Sequence, residues 1–140
     1  MFKAIQTSVS GLLASTARAN TAASNIVNSQ VTSTPFSPNT GTAQSPGFTP
    51  QRLQQTTTAY GGVRTTNVPV SPASLSVYNP SSPLSNEQGL VDVPNVSFPA
   101  EIAELQRAKH AYAANAKMIK ALDETAQVLL KSQNHLLKVL

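Results

Sequence analysis

The chain has 140 residues, a net charge of +4 and only 11% charged residues, and this length suits a single domain. It contains no cysteine, which excludes disulfides, thiolate metal sites and a cysteine nucleophile. The positive charge is thinly spread and lacks the dense basic face and stacking aromatics of nucleic-acid-binding proteins, so we expect no nucleic-acid partner.

Residues 1–29 are predicted to form the first helix. Its side chains repeat at intervals of four and three, which is the spacing of a coiled-coil seam: Ile5, Val9, Leu12, Thr16, Ala19, Ala23 and Ile26. Several Ser and Thr residues and the central Gly11 make this helix weak on its own. We therefore expect its seam to be buried against another helix.

Residues 30–99 are predicted to contain a loop followed by a small β region. Pro, Gly, Ser and Thr dominate residues 30–50, a composition typical of a loop. Two predicted strands joined by a Gly-Gly turn form a hairpin, Arg52–Tyr60 and Val63–Val70. Two shorter runs, Ser74–Tyr78 and Leu90–Val93, could each add a strand. A lone hairpin is marginal in water, so this region should lean on the helices or on neighbouring subunits.

Residues 101–140 contain no Gly or Pro and predict a long helix that starts just after Pro99. A second seam follows the same spacing: Leu105, Ala108, Tyr112, Asn115, Ile119, Leu122, Ala126, Leu129, Gln133, Leu136 and Leu140. This helix would be about 60 Å long, whereas the first would be about 39 Å long. The first helix can therefore cover only part of the second seam, and the rest is left for other chains.

The predicted fold is mainly α with a small β region. The terminal helices pair as a coiled-coil-like bundle and form one discontinuous helical domain (residues 1–29 plus 100–140), with the loop and β region in residues 30–99. We expect subunit packing by the seam residues Leu12, Ile26, Leu105, Tyr112, Asn115, Ile119, Leu122, Leu129 and Leu136.

Asn115 is a polar residue on an otherwise apolar seam. Its polarity could be chance, or it could fix the register of the helix pair at some cost in stability. Under the second hypothesis, Asn115→Leu stabilises the helix pair and impairs assembly.

No constellation of residues points to catalysis. His110 and His135 lie about 38 Å apart along one helix, so they cannot share a metal within one chain. Asp123 and Glu124 diverge by about 100° around the helix, and the Ser residues lack a His and Asp context. We therefore expect no catalytic, cofactor or metal site and no small-molecule substrate.

The sequence has no apolar run of membrane-spanning length and no apolar core of a cleavable signal peptide at its N-terminus. We expect a protein that does not span a membrane and that is exported, if at all, without such a signal.

Eight residues form a recognisable pattern between the predicted third strand and the long helix: Tyr78, Pro80, Pro83, Gly89, Val91, Pro94, Asn95 and Val96. This pattern resembles the signature of the FlgC family of flagellar basal-body rod proteins. Residues 101–115 fit the start of that family's C-terminal helix. Ser10-Gly11-Leu12 and residues 23–28 resemble the N-terminal motif of rod, hook and related axial proteins, although Val27 replaces the usual Ala. Pro94-Asn95-Val96 suits a turn into the helix, and a direct subunit contact is the alternative.

The resemblance implies a structural subunit of the proximal rod. Such a subunit is exported unfolded through the flagellar type III apparatus and folds on assembly in the periplasm. Its terminal helices form an inner coiled-coil-like layer with other copies and with neighbouring rod proteins, and the rod transmits torque. Two alternatives remain open: another flagellar axial subunit, and a soluble helical adaptor or secretion chaperone.

Overall fold

The computed structural model describes residues 1–35, 47–59 and 61–139, without the side chains of 135–139. Along the chain, four strands lie between two helices, in the order α1 (Phe2–Val27), β1 (Gln51–Thr57), β2 (Val63–Pro69), β3 (Ser74–Tyr78), β4 (Leu90–Pro94) and α2 (Phe98–Val139). The predicted mainly helical fold with a minor β region is thereby confirmed. Residues 36–46 of the predicted loop, Tyr60, the side chain of Leu136 and Leu140 lie outside the described part.

The start of α2 differs from the prediction. The helix begins at Phe98, so Pro99 lies within its first turn instead of preceding it. Proline is tolerated there because the first N–H groups of a helix have no partner in the helix. Glu101 also lies in this first turn, where a negative charge is favoured by the helix dipole.

The predicted hairpin is confirmed. β1 and β2 pair antiparallel, with Gln51 opposite Pro69 and Thr57 opposite Val63. Gly61 and Gly62 have φ angles of +88° and +97°, a region that strongly favours glycine, which explains the Gly-Gly turn.

β3 and β4 form a second antiparallel pair, with Ser74 opposite Pro94 and Tyr78 opposite Leu90. On the other side of β4, the backbone of Ser33 exchanges two hydrogen bonds of 2.9 Å with Asp92. The chain leaving α1 is thus tied to β4. The sequence suggested these two strands but did not indicate that they pair with each other.

The core is thin and centres on α1, which packs against α2 and also against the β1–β2 hairpin. In the described ranges, the β3–β4 sheet packs on neither helix. The buried apolar side chains are small: Ala14, Ala22, Val91 and Ala108. Because so little apolar area is enclosed within one chain, most large apolar side chains of the helices remain at least partly exposed.

Candidate assembly surface

The two helices pack antiparallel. Gly11 lies against Asn115, Arg18 pairs with Glu104, and Asn25 bonds to Glu101. As residue numbers rise along α1, those of the contacting residues on α2 fall.

The face of α1 that meets α2 is lined by small and polar side chains at heptad spacing: Ser8, Gly11, Ser15, Arg18, Ala22 and Asn25. Small side chains at a helix contact let two helix axes approach closely. The contact between the helices therefore depends on fit and hydrogen bonding more than on large apolar groups.

The predicted seam of α1 was wrong in register. The observed seam is displaced by one residue, which is about 100° around a helix. Three residues of the predicted seam are exposed (Val9, Thr16 and Ala23), and the other four are only half-buried: Ile5, Leu12, Ala19 and Ile26. The prediction selected the most apolar stripe of α1, but the stripe that packs against α2 is the one with small and polar side chains.

The predicted seam of α2 agrees with the observed contact as far as Ala126, except at Tyr112. Ala108 is buried, and the neighbouring seam residues are half-buried: Leu105, Asn115, Ile119, Leu122 and Ala126. Tyr112 and Leu129 are exposed. The role of these residues in packing between subunits stays a prediction.

Gly11 and Asn115 make a close contact between the two helices. A Cβ atom added at Gly11 would lie 2.6 Å from the side-chain nitrogen and oxygen of Asn115. The Asn115 amide donates a hydrogen bond of 2.9 Å to the Ala111 carbonyl of its own helix, and this bond helps hold the amide over Gly11. The seam Asn is thus matched to a residue without a side chain.

An ion pair joins the helices two turns further along α1. Glu104 accepts hydrogen bonds from Arg18 of α1 and, at 2.5 Å, from Arg107 of α2. Partial burial acts to raise the pKa of Glu104, but the hydrogen bonds and positive charges of the two guanidinium groups outweigh burial and lower that pKa below its ordinary value. The carboxylate is therefore charged at neutral pH and holds the helices in register.

Asn25 connects three elements and is almost fully buried, with 1% of its surface exposed. Its amide nitrogen donates to the Gln51 carbonyl at 2.7 Å and to the Glu101 carboxylate at 2.9 Å. Its oxygen accepts from the Gln51 backbone N–H at 3.0 Å. The end of α1, the start of β1 and the first turn of α2 are fixed together by this one side chain.

Two further bonds attach the hairpin to α1. The Val63 backbone N–H donates to the Ser10 hydroxyl at 3.1 Å, and the Thr21 hydroxyl donates to the Asn67 side chain at 3.2 Å. With Asn25, these contacts spread over about 22 Å of α1, so the hairpin lies along the helix. The predicted reliance of the hairpin on the helices is confirmed.

Sequence reasoning did not single out Arg18, Asn25 or Ser8 as packing residues. The sequence does contain a pattern that marks them. Polar and small residues repeat every three or four positions, and each lies one residue before a residue of the predicted apolar seam. A search for apolar repeats alone passes over such a run.

The eight residues of the Tyr78–Val96 pattern lie on the β3–β4 hairpin and on its exit towards α2. Gly89 has a φ of +73°, and a Cβ there would lie 2.9 Å from the Tyr78 ring. Val91 and Pro94 are buried. Asn95 donates its side-chain amide to the Pro72 carbonyl at 3.0 Å and its backbone N–H to Ala73 at 2.9 Å. These contacts support the interpretation of Pro94-Asn95-Val96 as the turn into the helix.

Large apolar side chains remain exposed on both helices. On α1 they are Phe2, Val9, Leu13 and Val27, and on α2 they include Phe98, Ile102, Met118, Val128, Leu129 and Leu130. In contrast, the described side chains include no group of three His, Asp or Glu residues suited to a metal ion. No helix within the described ranges is long and apolar enough to cross a membrane. The notable feature of this surface is its exposed apolar area, which suits protein–protein contact.

Residues 87–132 match the family described as flagellar basal body rod FlgEFG protein, C-terminal. This stretch covers about a third of the chain and includes β4 and most of α2. The match supports a relationship to the structural proteins of the flagellar basal-body rod. No curated protein matches the chain.

Proposed function

We propose that this protein is a structural subunit of the bacterial flagellar basal-body rod, of the FlgC type, and that it polymerises through its terminal helices. The observation that carries the proposal is the family match over residues 87–132, which includes most of α2, and α2 bears more exposed large apolar side chains than any other described element. The Tyr78–Val96 pattern supports the narrower FlgC assignment.

In this proposal the paired helices form the assembly domain (residues 1–29 plus 100–140), and residues 30–99 form a separate loop and β region. The chain crosses to the periplasm through the flagellar type III apparatus and folds as it joins the rod. Its thin core supports this order of events, because a segment that buries little apolar area alone gains stability only in contact with partners. Its partners are other copies of itself and neighbouring rod proteins, and its work is to transmit torque.

Another axial subunit is the second candidate, and the family match specifically favours considering it because the matched family is described by FlgE, FlgF and FlgG. A soluble helical adaptor or secretion chaperone is a third. Rod and other axial subunits assemble in an open-ended way, whereas an adaptor is fully folded when dilute.

The concentration dependence of folding and association separates these classes. We expect far-ultraviolet circular dichroism of the purified chain to show helicity that rises with protein concentration, together with assemblies of increasing size in analytical ultracentrifugation. Helicity that is high and constant across a hundredfold dilution, with a single small species, would favour the adaptor and contradict the proposal.

A further inference from the structure

The exposed apolar seam of α2 continues past the end of the helix pair. The register of the α1–α2 contacts places Phe2, the first residue of α1, near residues 122–124 of α2. Ala126 is the last half-buried residue among the described side chains of α2, and every residue from Gln127 to Asn134 is exposed. We call residues 127–139 the overhang; at 1.5 Å per residue it is about 20 Å long.

The overhang continues the face that packs on α1. Leu129 lies seven residues after Leu122, and Leu130 lies four residues after Ala126, so the two leucines flank the line of the seam. They are 52% and 61% exposed. The helix that would cover them must lie where α1 would run if it extended beyond Phe2.

The opposite end of the helix pair carries exposed apolar side chains too. This end, which we call the base, contains the last turn of α1 and the first turns of α2. Val27, Phe98 and Ile102 are 78%, 52% and 43% exposed there. The two apolar patches lie at opposite ends of the helix pair, so they can meet between copies but not within one copy.

We infer that the overhang of one copy packs on the base of a second copy, with Leu129 and Leu130 against Val27 and Phe98. A copy shifted along the helix axis by about the length of α1, roughly 39 Å, places its base beyond Phe2 of the first. It must also move sideways by about one helix diameter, because the overhang already occupies the line of α2.

The contact joins different surfaces of the two copies, so it does not close on itself. A head-to-tail contact of this kind generates an open filament. The inference rests on the proposed function and adds to it the pair of surfaces that meet and the polarity of the assembly.

Cysteine cross-linking tests the pairing directly, since the chain has no cysteine of its own. Leu129→Cys and Phe98→Cys are made separately, mixed in equal amounts under assembly conditions and oxidised. We expect a disulfide-linked dimer in the mixture and at least tenfold less in either variant alone. Met118→Cys replaces Phe98→Cys in the control mixture, because Met118 is as exposed as Leu129 but lies midway along α2.

Each other outcome contradicts the inference in a defined way. A cross-link in Leu129→Cys alone would indicate a symmetric contact, and a cross-link to Leu13→Cys in place of Phe98→Cys would assign the overhang to the outer face of α1. Wild-type assembly seen by ultracentrifugation without the 129–98 cross-link would overturn the pairing and leave the proposed function standing. A wild-type chain that stays monomeric at every concentration would contradict the proposed function itself.

Discussion

Gly11 lies directly against the side-chain amide of Asn115, which leaves no room for a Cβ atom at residue 11. A Gly→Ala change within a helix ordinarily stabilises it by about 1 kcal/mol. At this position we expect the opposite sign, because overpacking costs about 1–3 kcal/mol. Thermal unfolding of Gly11→Ala followed by circular dichroism should show a lower melting temperature than the wild type.

The double mutant supplies the control. In an Asn115→Ala background the space above Gly11 is open, so Gly11→Ala should raise the melting temperature. A change of the same sign in both backgrounds would show that the two residues are not coupled. The separate hypothesis that Asn115→Leu stabilises the helix pair while impairing assembly stays a prediction.

Glu104 makes the helix pair sensitive to acid. Its folded pKa is lowered below the ordinary value of 4.5, so Glu104 contributes stability above that value and loses the contribution as the pH falls through the lower folded pKa. We expect the melting temperature of the wild type to fall more steeply than that of Glu104→Gln as the pH drops below about 4.5. Parallel curves for the two proteins over this range would remove Glu104 as a source of the acid sensitivity.

The two arginines should not contribute equally to this effect. The Arg107 side chain is 70% exposed, whereas that of Arg18 is 23% exposed, and solvent screens exposed ion pairs strongly. Arg18→Gln should therefore reduce the acid sensitivity more than Arg107→Gln does.

At the scale of elements, Asn25 determines whether the β1–β2 hairpin is held on the helix pair. Asn25→Ala removes the hydrogen bonds of this side chain to the backbone N–H and carbonyl of Gln51, and each such bond contributes about 0.5–1.5 kcal/mol. We expect faster amide hydrogen exchange in β1 and at the start of α2, and a lower melting temperature.

Asn20→Ala is the matched control, because Asn20 is an exposed asparagine on the same helix. Its exchange rates in β1 should equal those of the wild type. Equal exchange in Asn25→Ala as well would show that the hairpin is held by its other contacts, such as those of Ser10 and Thr21.

The elements were predictable where local chemistry determines them. The Gly61-Gly62 turn needs positive φ angles, and the Gly- and Pro-free stretch after residue 100 favours helix, so both were correctly anticipated. The α1 seam was not predictable from apolar periodicity. Its packing depends on the missing side chain of Gly11, over which Asn115 packs, and on polar partners at residues 51, 101 and 104. These contacts join residues that are 26 to 104 positions apart in the chain, and a local sequence pattern cannot reveal them.

On the scale of the whole molecule, the difference in length between the two helices has a functional consequence. α1 has 26 residues and α2 has 42, so one chain cannot cover its own α2 seam. Replacing Leu129 with a charged residue should weaken assembly without unfolding the monomer, because Leu129 is already exposed in one chain.

This prediction can be measured as the protein concentration at which assembly begins. Leu129→Lys should require at least tenfold more protein than the wild type, while Met118→Lys should change the value less than twofold. Equal effects of the two substitutions would mean that the overhang has no special part in assembly.

Electron microscopy of basal bodies from a flagellated strain that lacks this gene tests the rod assignment most directly. The account predicts that rods and external flagella are missing, and that both return with the wild-type gene but not with Leu129→Lys. Normal basal bodies in a strain lacking both this gene and its closest homologue would contradict a role as a rod subunit.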